Sequence, residues 1–405
     1  MIDLKVIKDD PARIRDEVKK RGGALDVDAL VEADEARRRL QQEIDAARAA
    51  QKRTTDRAKG KALKDKLKKL EAEATEAQSR FEALYLQVPN FSTDDVPVAP
   101  DESGNEEIRQ VGEKPSLENP AQHFDIPAIT PHIDFVRGAK VSGSRFWYLK
   151  GPLVDLEFAL IRYALDFYRE KGFVPMRPPT IVNRDAMEGT GFFPADENEI
   201  YTVEDETGKN TKKYLVGTAE VALASYHAGE SLEELPVKYI GFSPAYRREA
   251  GSYGKDTKGI IRGHEFDKLE LFVFAAPDQS AAVHDELQAN AEEFWSSLGI
   301  PFRVVNIATG DLGAPNAKKL DIEAWLPGEG QYREVASNSN DTDFQARRLG
   351  IKHQGGLAHT LNNTAVAIGR AIVAIVENYQ RKDGTVGMPE KLHEYLPFKE
   401  IKNSD

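Results

Sequence analysis

From residue 28 to residue 87 the chain contains no proline, and its apolar residues return at helical spacing along two limbs. Leu30, Ala33, Leu40, Ile44 and Ala47 mark the first limb; Leu63, Leu67, Leu70, Ala74, Ala77, Phe81 and Leu84 mark the second. Gly60 lies between them. An apolar stripe on a helix must be covered, and the nearest cover for each limb is the other. The pattern predicts two helices of about 25–30 residues in an antiparallel hairpin, roughly 40–45 Å long at 1.5 Å per residue. Residues 1–27 are expected to form a small helix at its base.

Charge is concentrated at the far end of that hairpin. Residues 48–69 hold Arg48, Lys52, Arg53, Arg57, Lys59, Lys61, Lys64, Lys66, Lys68 and Lys69, opposed only by Asp56 and Asp65. The tip therefore carries +8, and the rest of the chain −20, against a total of −12. A cationic end held away from an acidic body suits the phosphate backbone of a nucleic acid, although charge runs are as often a solvated helix end. The tip has no aromatic residue, so shape and phosphate contacts rather than base stacking are expected.

Pro89, Pro97, Pro100 and Pro115 break regular structure after the hairpin, and acidic residues dominate there. The division expected is a helical arm domain over residues 1–100, a linker over 101–118 and a third region over 119–405. In that third region strand-like and helix-like segments alternate. The chain has no cysteine, which excludes disulfides and thiolate metal sites. Its first twenty residues are charged from Asp3 onward, with no apolar signal core, and no spanning helix is evident. A cytoplasmic location, without membrane contact, is expected.

The stretch from Tyr246 to Glu270, YRREAGSYGKDTKGIIRGHEFDKLE, reads as strand, long polar loop, strand. Residues two apart on a strand share a face. Arg247 and Glu249 are thus expected on one face, and Phe266, Lys268 and Glu270 on one face of the return strand. Leu269, Leu271 and Val273 form its opposite, core-like face. Arginines, a carboxylate and an aromatic ring on one side of a hairpin suit a nucleoside triphosphate held beside a second charged ligand.

This stretch resembles the second signature motif of class II aminoacyl-tRNA synthetases, and in detail that of the seryl-tRNA synthetases of bacterial type. The family pattern is roughly R-x-E-A-G-x-x-G-x-D-T-x-G-x-x-R-x-H-Q-F-x-K-x-E, with one departure here: Glu265 stands in place of Gln. A carboxylate there is expected near the nucleotide, where it would oppose the phosphates. The segment LVDLEFALIRYALDFYREKG, followed by FVPMRPPTIVN, is similar to the family's first motif, which implies a homodimer interface; an ordinary core helix would read the same way. The third motif is seen in HTLNNTAVAIGRAIVAIVENYQ, residues 359–380. The fold implied is α+β: a helical-hairpin, coiled-coil arm and a class II catalytic domain with an antiparallel sheet flanked by helices. The arm would grip tRNA(Ser), that of one subunit presenting it to the other's site.

The resemblance also implies roles. Arg247 would bridge the serine carboxylate and the α-phosphate of ATP, with Arg248 beside it. Glu249 would accept from the adenine amino group, Phe266 would stack on adenine, and Arg262 would hold the outer phosphates. Arg370, a cation amid apolar neighbours and so in need of a partner, would meet the γ-phosphate. In YREVASNSNDTDFQARR, residues 332–348, Glu334 would hold Mg²⁺ and ATP, flanked by Val335, Ala336 and Ser337. In VGTAEVAL, Thr218 and Glu220 would contact the ammonium of L-serine, with Ala219 between them in the serine site; Glu270 would hold its ammonium or hydroxyl side, and Asn362 and Thr364 would complete the pocket. Many family members carry Ser at the position of Thr364. The eight histidines show no ligand spacing, so Mg²⁺ is the one metal expected and zinc is not.

The implied reaction is activation of serine by ATP, then transfer to the 3′ end of tRNA(Ser), with a selenocysteine tRNA left open as a second substrate. Two other readings share the motifs. A ligase that passes the amino acid to a carrier protein would be expected to lack the basic Lys59–Lys69 arm. A noncatalytic RNA-binding paralogue would not need Arg247, Glu249, Glu334 and Arg370 together.

Overall fold

The computed structural model describes residues 1–204, 212–250 and 258–403. The polar loop from Gly251 to Thr257, inside the Tyr246–Glu270 stretch, lies outside them. The chain folds as two units, Met1–Phe91 and Ser92–Asp405.

The first unit has four helices: α1 (Leu4–Asp9), α2 (Pro11–Lys20), α3 (Val27–Arg53) and α4 (Arg57–Tyr85). Helices α3 and α4 pair along Leu40, Ile44, Ala47, Leu67 and Leu70, all buried. At their base, α1 and α2 bring Ile7, Ile14 and Val18 against Leu30, Phe81 and Tyr85. The base thus holds two short helices where one was expected, because Asp10 ends the first and caps the second, accepting from Arg13 N. The limbs meet at Thr54–Asp56, not at Gly60. The Asp56 side chain accepts from Ala58 N and Lys59 N and so starts α4 ahead of the glycine. Gly60 is an interior helical residue, a position where glycine costs about 1 kcal/mol relative to alanine. All ten basic residues of the tip are exposed.

The second unit is built on an eight-stranded sheet. In chain order its strands are β1 (Glu106–Val111), β2 (Val174–Met176), β3 (Val237–Tyr246), β4 (Glu265–Ala275), β5 (Phe302–Asn306), β6 (Lys318–Leu326), β7 (Gln331–Thr342) and β8 (His359–Ala367). Across the sheet they run β1-β5-β6-β7-β8-β4-β3-β2. All neighbours are antiparallel except β2 and β3. Strand β1 falls in the stretch expected to be irregular. Five of its six side chains are exposed, so it carries none of the apolar alternation that identifies a strand in sequence.

Helices α5 (Pro152–Glu170), α7 (Ser280–Ser297) and α9 (Ile368–Asn378) cover one face of the sheet, numbered with two short helices, α6 (Glu220–Ser225) and α8 (Phe344–Leu349). The main core lies on that face and takes Leu269, Leu271 and Val273 from β4, as the alternation predicts. Phe272 and Phe274 point the other way, into a smaller cluster with Leu223 and Ala346. Farther along that second face, Phe266, Lys268 and Glu270 border open cavities.

Candidate active site

Strand β3 stops at Tyr246, so Arg247 and Glu249 do not share a strand face. Glu249 has a left-handed backbone, φ 50°. Its carboxylate still meets Arg262, accepting from Nη1 at 2.7 Å. Arg247 donates from Nε to the carbonyl of Gly217 at 3.2 Å, and its guanidinium carbon sits 5.3 Å from the Phe266 ring centre. The return strand behaves as its alternation requires: Lys268 and Glu270 form a buried ion pair, Nζ to Oε2, at 2.5 Å.

Two cavities open on this face. One, beside Phe266, is lined by Arg247, Glu249, Arg262, Phe266, Glu334 and Arg370, with Val335 in its wall. The other is lined by Thr218, Glu220, Glu270, Ser337, Asn362 and Thr364. Arg247, Lys268, Glu334 and Thr364 border both. Two cations and a carboxylate thus stand at the junction of the two spaces.

Arg370 is the third residue of α9, directly after β8, and this places it over the first cavity. It donates to the Glu334 carbonyl at 2.7 Å and lies 3.2 Å from Glu334 Oε1. Burial pushes the Glu334 carboxyl up, but Arg370, Lys319, Arg247 and Lys268 outweigh it and hold the pKa at about 2. The carboxylate stays open to the cavity, 46% exposed. Ionised and hard, it suits Mg²⁺, which takes one or two protein carboxylates and completes its shell with phosphates and water. Among the described residues no group of three acidic or histidine ligands forms a separate metal cage.

The second cavity is acidic. Glu220 is pushed up to about 8, first by burial and then by the nearby Asp341 and Glu270; Gln345, donating at 2.7 Å, and Lys268 oppose the rise. Asp341 accepts from Asn316 at 2.7 Å and from Asn362 at 3.1 Å. The cavity wall carries Asp196, Glu220, Glu270, Asp311 and Glu334 against Arg247, Lys268 and Lys319, and Asp341 stands behind it, so carboxyl groups outnumber cations and an ammonium is favoured.

The other expected site residues are placed as follows. Ala219 is buried in the Phe272 cluster and Ala336 in the main core, so neither side chain borders a cavity. Arg248 borders neither; its backbone N–H donates to Glu199 O at 2.8 Å. Ser337 faces the acidic cavity rather than the Phe266 cavity. Glu265 is exposed and borders a neighbouring surface hollow with Glu157 and Asp267; Phe266 and Gly369 line both this hollow and the first cavity, but Glu265 does not border the first cavity. Sequence reasoning missed Asp196, Asp311 and Lys319 in the acidic cavity, and Asp341 and Gln345 behind it. For Lys319 the available signal was the K-x-D pattern of β6, where Lys319 and Asp321 share a face and pair at 3.3 Å.

Comparison with known proteins gives the site its context. Residues 201–379 match the family described as tRNA synthetase class II core domain (G, H, P, S and T), and residues 1–92 match the Seryl-tRNA synthetase N-terminal domain. A serine–tRNA ligase of Acidothermus cellulolyticus is 44% identical over 98% of both chains. The crystal structure of seryl-tRNA synthetase from Pyrococcus horikoshii complexed with ATP covers 100% of each chain, with a TM-score of 0.92 and 40% identity. A cytoplasmic serine–tRNA ligase from Naegleria fowleri in complex with AMP covers 100% of this chain and 99% of its own, with a TM-score of 0.88 and 34% identity.

Proposed function

The chain belongs to the seryl-tRNA synthetase family, and from that premise we propose how its residues join serine to tRNA. The activity is that of a serine–tRNA ligase; the division of labour among residues is our reading. ATP occupies the Phe266 cavity, with adenine against Phe266 and Glu249 and the phosphates between Arg262 and Arg370. Serine occupies the acidic cavity, its ammonium among Thr218, Glu220 and Glu270 and its hydroxyl side against Asn362 and Thr364.

The observation that carries this reading is the shared border of the two cavities, where Arg247, Lys268 and Glu334 meet. In the first step a serine carboxylate oxygen attacks the α-phosphorus, forming the acyl–phosphate bond and releasing pyrophosphate. A carboxylate is ionised at neutral pH, so this step needs no general base. It needs cations at the point where two anions approach, and a fixed line of approach. Arg247 supplies a planar five-donor fork there. Mg²⁺, held by Glu334 together with the phosphates, would supply further charge neutralisation. In the second step the terminal ribose hydroxyl of tRNA(Ser) attacks the adenylate carbonyl, and AMP leaves.

The first unit, Met1–Phe91, serves as the tRNA-binding arm domain and the second, Ser92–Asp405, as the catalytic domain; the stretch 101–118, expected as a linker between 1–100 and 119–405, contributes β1 to the catalytic sheet. The exposed tip lysines and arginines read phosphates. The working form is a homodimer in the cytoplasm, supported by apolar residues left exposed around the first motif, Val136 at 81% and Phe158 at 64%. No helix among the described residues is long and apolar enough to cross a membrane. The direct test is Arg247→Ala in pyrophosphate exchange at saturating ATP and serine. A fall in kcat of about 10²–10³ is expected for loss of one charge-stabilising donor; unchanged exchange would remove Arg247 from the reaction.

A further inference from the structure

His123 lies far from the motifs in sequence and has no substrate-facing position, yet it is 1% exposed and fully hydrogen-bonded. Its Nε2 accepts from the backbone N–H of Ile260 at 3.0 Å. The ring hydrogen is therefore on Nδ1, which donates to Glu377 Oε1 at 3.0 Å. The backbone N–H of His123 donates to the same oxygen at 2.9 Å. Glu377, itself 0% exposed, accepts at its other oxygen from Gly328 N at 3.0 Å.

The two ends of this relay matter. Ile260 opens the run Ile260–Ile261–Arg262, which forms one wall of the Phe266 cavity. Glu377 stands on α9, seven residues after Arg370, so about 10 Å along the same helix. Arg370 also reaches the wall itself, through Nε to the Ile261 carbonyl at 3.4 Å. The wall is shaped around the imidazole. Gly259 has φ +77°, and a Cβ there would fall 2.2 Å from His123 Nε2. On the far side, a Cβ on Gly369 would come within 3.2 Å of the Ile260 carbonyl. The segment that follows Gly251–Thr257 thus re-enters the described fold held between the His123 ring and the start of α9.

We propose that His123 is a positioning residue of the nucleotide cavity. By accepting from Ile260 and donating to Glu377, it keeps the wall that carries Arg262 in register with the helix that carries Arg370. Two cations from distant parts of the chain then address one triphosphate. A loosened wall costs ATP affinity while leaving the serine cavity, on the other side of the Arg247–Glu334 junction, intact. The proposal rests on the assignment of ATP to the Phe266 cavity.

The test is pyrophosphate exchange on the full chain, with ATP and serine varied separately, for His123→Ala, His123→Gln and His123→Asn beside Arg262→Ala. Loss of the hydrogen bond to the wall is expected to raise the ATP KM of His123→Ala roughly tenfold, with the serine KM unchanged. The Gln side chain reaches the Nε2 position with an oxygen that can accept from Ile260, and should restore the ATP KM. The Asn side chain reaches only the Nδ1 position and should not. If His123→Ala fails to fold, the comparison of Gln with Asn still decides. ATP and serine KM values that rise together, or equal ATP KM values for Gln and Asn, would overturn the positioning role in favour of a purely structural one. An Arg262→Ala variant with an unchanged ATP KM would overturn the cavity assignment instead, separately from the relay.

Discussion

At the scale of single residues, the site separates two kinds of carboxyl group by surroundings alone. Glu334 faces four cations and is held ionised, at about 2. Glu220 is buried beside two other carboxyls and sits at about 8. The sign of the linkage follows. At pH 7 the free enzyme holds Glu220 mostly protonated, and a bound ammonium favours the ionised form, so serine binding releases a proton. Affinity for serine should then rise as pH increases from 7 toward 8, and fall again at higher pH as the serine ammonium itself loses its proton. Calorimetric titration with serine at pH 7, in buffers of different ionisation enthalpy, should report close to one proton released; heat independent of the buffer would show that Glu220 does not face the ammonium.

At the scale of elements, the arm works as a separable device. Its two long helices are fixed by an apolar seam, and its charge lies on exposed positions that the seam does not use. Replacing Lys59, Lys61, Lys64 and Lys66 by alanine should weaken tRNA binding and flatten its salt dependence, by about 0.7–0.9 in the log–log slope for each phosphate no longer neutralised. Exchange in the absence of tRNA should not change. An unaltered slope would make the tip a solvated helix end.

Legibility followed the same physics. The alternation of Phe266, Lys268 and Glu270 against Leu269, Leu271 and Val273 was readable because β4 is two-sided, with one face on the core. Strand β1 was not readable because its side chains are exposed. Gly60 misled because an Asp cap, not the glycine, sets the turn. The geometry of Glu249 was hidden because it depends on one left-handed residue beyond a strand end. His123 and Asp341 act through hydrogen bonds to residues remote in sequence, and no local spacing encodes those.

At the scale of the whole molecule, the proposed dimer accounts for one property of the surface. The exposed Val136, Val141 and Phe158 are costly to leave in water, and a second copy would cover them. Sedimentation at micromolar concentration should show a dimer, and Phe158→Asp should shift it toward monomer; a wild-type monomer would leave that apolar surface without this explanation.

In the proposed mechanism ATP and serine meet across the Arg247–Glu334 junction without help from tRNA. The most direct measurement is ATP–pyrophosphate exchange without tRNA, run separately with serine, threonine, alanine and glycine. Strong exchange is expected with serine. Very weak exchange is expected with alanine and glycine, which leave the buried polar groups of the acidic cavity unpaired, and weak exchange with threonine, which Thr364 and Asn362 must exclude by size. Exchange with alanine or glycine but not serine, or with none of the four, would contradict the mechanism.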